Sequence, residues 1–131
     1  MEPSENDYLD YRLPDGSFIS FWVASDHRLS DWSYFWVGSA TAGIPEAWYR
    51  VFRVDTTPPA WQPMKSVEDV CKQTGFENDD GGDTEARIGA AEKLPMGRFV
   101  VQLKVRVAGK EAEFPGIIFK VKGGPIPGGW G

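Results

Sequence analysis

Residues 98–122, RFVVQLKVRVAGKEAEFPGIIFKVK, constrain the fold more than any other stretch of this chain. Phe99, Val101, Leu103, Val105 and Val107 alternate with Val100, Gln102, Lys104 and Arg106. A period of two with β-branched residues on one face marks a half-buried strand, because successive side chains point to opposite sides. After Ala108-Gly109-Lys110 the chain resumes with Glu113 and Phe114, then Ile117, Phe119 and Val121 interleaved with Ile118, Lys120 and Lys122. The two runs predict an antiparallel hairpin over a short glycine-containing loop. Pro115-Gly116 predicts a bulge or a late strand entry, because proline has no N–H for a central ladder. One hairpin face is then apolar, and the other carries Lys104, Arg106, Lys120 and Lys122. A plain solvated surface and an anion-facing surface both fit that basic face.

Fifteen glycines and ten prolines in 131 residues call for many turns, hence a β-rich fold rather than a helical bundle. The chain is 41% hydrophobic and 25% charged, which suits one folded domain over 1–131, frayed at 1–7 and tailing off at 123–131. Six tryptophans supply large apolar groups with stackable faces, useful in a core or on a binding surface. The net charge of −5 is unevenly spread. Residues 1–66 hold nine acids and five bases, residues 67–97 eight and three, and residues 98–131 two and six. A basic C-terminal hairpin on an acidic body points to an anionic partner despite the acidic total. One cysteine excludes an internal disulfide and suits a reducing compartment. The chain has no apolar run near about 18 residues, and MEPSEND at the start lacks a signal-peptide pattern. It therefore reads as cytoplasmic, with no membrane partner.

Residues 8–13 alternate loosely, as a short edge strand would, and Pro14-Asp15-Gly16 is a turn. Residues 17–24 predict a strand with Ile19, Phe21 and Val23 on one face. After a polar loop, residues 32–39 predict another, with Phe35 and Val37 opposing Tyr34 and Trp36. Residues 47–55 form a third, with Trp48, Arg50, Phe52 and Val54 on one face and Tyr49, Val51 and Arg53 on the other. Either face puts an arginine among apolar neighbours, so its orientation stays open. TTPPAWQPM at 56–64 has too many prolines for regular structure. Ser66 reads as the N-cap of a short helix, Val67, Val70 and Cys71 share its apolar face, and Gly75 suits the C-cap. Residues 77–85 are an acidic glycine-containing loop, and residues 87–94 add a turn of helix at most. Three strands, a helix and two strands is the order of an OB-fold, a five-stranded barrel with its helix between strands three and four. An SH3-like barrel is the nearest competitor. A sandwich is disfavoured because it wants about seven strands and has no ready place for the helix.

Several local patterns also resemble a known family. Leu13-Pro14-x-Gly16 opens a strand, the helix ends in Thr74-Gly75-Phe76, and an acidic glycine-rich loop precedes Met96-Gly97-Arg98-Phe99-Val100-Val101 with alternating lysines. Over residues 13–122 this layout resembles phage-encoded OB-fold single-stranded-DNA-binding proteins. The resemblance implies a phage or mobile-element origin, work in the host cytoplasm and a non-enzymatic role on single-stranded nucleic acid. Such proteins often end in an acidic, partner-recruiting tail, whereas this chain ends in GGPIPGGWG.

Catalytic and metal chemistry find little footing. One cysteine and one histidine fall short of a structural zinc site. Cys71 sits on the apolar helix face, where a structural thiol fits better than a nucleophile paired with His27. The acidic loop fails the EF-hand register, with Gly81 and Ile88 falling where ligands are needed. Gly38 and Gly43 lack the Lys-Ser/Thr of a phosphate loop. No cofactor is implied. Aromatic rings and bases remain, the two ingredients of sequence-tolerant single-strand binding. Tyr34, Trp36, Trp48 and Phe52 are the expected stacking residues, and Arg50, Lys104, Arg106, Lys120 and Lys122 the expected phosphate contacts. A protein-binding or assembly module, such as a virion component or a host-enzyme inhibitor, is the alternative. A carbohydrate binder is a third reading, resting on the tryptophans.

Overall fold

A computed structural model describes residues 8–13, 16–25, 32–39, 46–75, 87–107 and 109–122. Residues 1–7 (the expected frayed start), the His27 loop, the acidic loop and the Gly/Pro-rich tail lie outside the described residues. Alternating sequence becomes two antiparallel sheets. Sheet I has the order β1 (Tyr8–Arg12), β2 (Phe18–Ala24), β3 (Ser33–Ser39), β7 (Arg87–Glu92), β6 (Lys65–Ser66). Sheet II has the order β5 (Gln62–Pro63), β4 (Glu46–Arg53), β8 (Gly97–Val107), β9 (Lys110–Val121).

One core lies between the sheets. Sheet I contributes Ile19, Phe21, Val23, Phe35 and Val37, and sheet II contributes Tyr49, Val101, Leu103, Val105, Ile117 and Phe119. The rings interlock across the gap: Phe35 lies 5.6 Å from Phe119 and 5.8 Å from Tyr49, between centroids. The Tyr49 hydroxyl also donates to the Glu92 carboxylate, tying β4 to β7. Burial, then that hydrogen bond and charge, push the Tyr49 phenol far above its ordinary range. At one side of the stack Tyr11 lies flat on Phe114, 4.2 Å between centroids, so the edge strands β1 and β9 meet. At the other side the chain passes from β5 to β6, and the Met64 N–H donates to the Ala47 carbonyl at 2.9 Å.

An all-β fold with one short helix is what the chain adopts, but the described strands do not close into a barrel. Residues 87–92 are the reason. The expectation of a helical turn there is wrong: β7 pairs with β3, and so occupies the edge on which a barrel would continue. Ile88 and Ala90 turn towards the core, while Gly89 and Ala91 face outward. The residues after β3 instead pair with β8 in the second sheet. The proline-rich 56–64 segment likewise holds a short strand, β5, at a sheet edge where Pro63 is tolerated. The hairpin forms as expected. Its bulge falls at Pro115-Gly116, where β9 takes three steps, from Phe114 to Ile117, against two on β8, from Leu103 to Val101.

The helix α1 (Val67–Thr74) covers the β3–β7–β6 part of the outer face of sheet I. Val67 and Val70 are buried against Tyr34, Trp36 and Ala91, with Trp22, Trp32 and Cys71 at the margin of this second cluster. Cys71 is thus a packing residue. Both caps are as expected: the Asp69 N–H donates to Ser66 Oγ at 3.1 Å, and Gly75 takes φ 77° with its N–H on the Cys71 carbonyl at 2.8 Å. Ser66→Ala should lower stability by about 1 kcal/mol, because one helix N–H loses its acceptor. A urea midpoint unchanged by this substitution would show that water replaces the cap at no cost. Among the described residues, no helix is long and apolar enough to cross a membrane.

Candidate functional site

Among the described residues, no helix covers the outside of sheet II. It is the longer of two open faces, the other being the β1–β2 part of sheet I with Tyr8 and Phe18 exposed. Ala47 and Tyr49 on β4 are buried inward, which turns Trp48, Arg50 and Phe52 out. Cross-strand register fixes their neighbours. Glu46 stands opposite Arg106 and then Glu111; Trp48 opposite Lys104 and then Glu113; Arg50 opposite Gln102. Phe52 follows opposite Val100 and Ile118, and Arg98 stands beside Lys120. Hydrophobic pairing in the Phe52 row leaves Val100 buried although it points away from the core.

Rings and cations alternate across this face. Arg106 lies 5.1 Å from the Trp48 ring, and Lys104 lies 5.0 Å from that ring and 5.2 Å from Trp61. Arg50 closes the series, 4.2 Å from Trp61. The result is a ladder, Arg106–Trp48–Lys104–Trp61–Arg50, built from β4, β8 and the residue that leads into β5. Each such contact at an exposed site is worth about 0.5–1 kcal/mol. The ends are anchored: Arg50 Nε donates to Gln102 Oε1 at 2.7 Å, and Arg106 pairs with Glu111 at 2.8 Å and Glu46 at 3.8 Å. That hydrogen bond holds the Glu111 carboxyl below the usual carboxylate range, with the Lys104 and Arg106 charges adding to it.

The expected site residues divide into two groups. Trp48, Arg50, Phe52, Lys104, Arg106 and Lys120 share the outer face of sheet II, and Lys122 is exposed just past β9. Arg106 is engaged by two carboxylates, so its charge is largely spoken for. Tyr34 and Trp36 do not belong to the site. They lie in the other sheet under α1, 7% and 5% exposed, and stack on each other at 5.8 Å. The helix's apolar stripe needs a surface to cover, and β3's second aromatic face is that surface.

Trp61 is the member sequence reasoning missed, because it sits among prolines just outside a two-residue strand. The available signal was a lone tryptophan in a polar proline-rich segment, a ring that needs a surface to lie on. Among the described residues, no group of three or more His, Cys, Asp or Glu could hold a metal ion. No protein-family model, curated protein or solved structure matches the chain.

Proposed function

We propose that the outer face of sheet II binds single-stranded nucleic acid with little sequence preference and without catalysis. The ring–cation ladder carries this reading, since it puts stacking surfaces and positive charge side by side. Trp48 and Trp61 are the stacking residues, flanked by the apolar Phe52 row. Arg50, Lys104, Lys120 and Lys122 take phosphates. The carboxylates Glu46, Glu111 and Glu113 gather at one end, around Arg106 and Lys104, which favours a strand path towards the Lys120 end. Binding of this kind needs one exposed sheet face rather than a closed barrel. The same clustering of tryptophan and arginine would also suit a protein interface, where these residues dominate binding energy.

Tryptophan fluorescence during titration with unlabelled oligo-dT separates the two. Quenching is expected, with log K falling against log salt at about −0.7 per phosphate contact, near −3 for four cations. Trp48→Ala should weaken binding by about 1–3 kcal/mol with that slope unchanged, because stacking releases no counterions. Saturating oligo-dT that leaves the fluorescence unmoved at low salt would favour the protein interface instead.

A further inference from the structure

We propose that Lys104 is an exchangeable occupant of the Trp48–Trp61 pair, and that the unit this face selects is a planar base joined to a phosphate. The inference rests on the single-strand reading of the same face and adds a mechanism of selection to it. The three cations of the ladder are held very differently. Arg106 is pinned by two carboxylates, and Arg50 by the Gln102 side chain. Lys104 makes no hydrogen bond or ion pair among the described residues; the two rings hold it, with Glu111 acting on its charge only through space. Glu113 stands directly opposite it on β9, yet the ammonium lies over the rings on the other side. A compact charge on a flexible four-carbon stem moves at little cost.

Exchange then discriminates between ligands. A bare polyanion draws Lys104 off the rings and puts nothing in its place, leaving Trp48 with Arg106 alone and Trp61 with Arg50 alone. A neutral ring, such as a sugar or nucleoside, displaces the ammonium without offering its charge a partner. A nucleotide does both: its base takes the ring face that Lys104 leaves, and its phosphate receives the ammonium. The free protein's own cation thus stands in for a base.

The test compares oligo-dT with an abasic deoxyribose-phosphate strand of equal length, while NMR follows the Lys104 side-chain methylenes. In the free protein these protons should be shifted upfield by the two indole rings. Saturating oligo-dT should return them to the position of an exposed lysine, and the abasic strand should bind at least about tenfold more weakly without quenching tryptophan. Lys104→Gln should lower the salt slope for oligo-dT by about 0.7 and keep the quench. Equal affinity for the two strands, or an upfield shift that persists in the oligo-dT complex, would overturn the exchange while leaving single-strand binding intact. No binding of oligo-dT at all would overturn single-strand binding, and the exchange with it.

Discussion

Gly116→Ala is expected to lower the stability of the protein by about 2–6 kcal/mol, a large share of the roughly 5–15 kcal/mol that holds a domain folded. Two separate costs add. Gly116 adopts φ 93°, a conformation that L side chains rarely reach. A Cβ there would also lie 1.9 Å from the Val101 carbonyl oxygen and 2.8 Å from its carbon, both backbone atoms of the neighbouring strand. Neither can turn aside without breaking the β8–β9 pairing at the bulge. Gly109→Ala supplies the control, since φ is 78° but nothing lies within 4 Å of the added methyl. It should show the conformational cost alone, about 1–2 kcal/mol. Equal losses for the two variants in urea unfolding would remove the steric part of this account.

Trp36→Ala should cost about 3–5 kcal/mol of stability and leave the oligo-dT affinity of the folded fraction unchanged. The Trp36 indole packs on bare backbone: a Cβ at Gly89, its cross-strand partner, would lie 2.4 Å from the ring. With α1 above it and Tyr34 stacked beside it, the indole is part of a packed cluster, and its removal opens a cavity there. Trp48→Ala is the mirror case, with a modest loss of stability and a clear loss of binding. A Trp36→Ala protein that stayed within about 1 kcal/mol of the parent but no longer bound oligo-dT would reverse the assignment of the two faces.

Periodicity made much of this legible in advance. The strands at 18–24, 33–39, 46–53 and 97–121, the capped helix and the bulge at Pro115-Gly116 all follow from local chemistry. Pairing across the chain did not. Nothing in residues 87–92, where Ile88-Gly89-Ala90-Ala91 lacks a decisive period, says that they take the edge of β3 and so keep the sheets apart. Tyr34 and Trp48 read alike along the chain, each on an alternating aromatic strand. What separates them is α1, whose apolar stripe packs on Tyr34 and Trp36 and not on Trp48. Trp61 was hidden for the opposite reason: its importance lies in the strand beside it, not in its own segment.

The ladder also has a place in the order of assembly. The β8–β9 hairpin and the β1–β2–β3 meander can each form from neighbouring residues, but β4 must meet β8 across the intervening β5, β6, α1 and β7. Such distant pairing closes late, because the chain between must be gathered first. Trp48 and Trp61 come from before α1, and Lys104 and Arg106 from after β7. An early hairpin would therefore carry the cations without the rings. The complete surface exists only once this distant pairing is made, so a ligand that requires both would bind the finished molecule alone and pull late intermediates towards it.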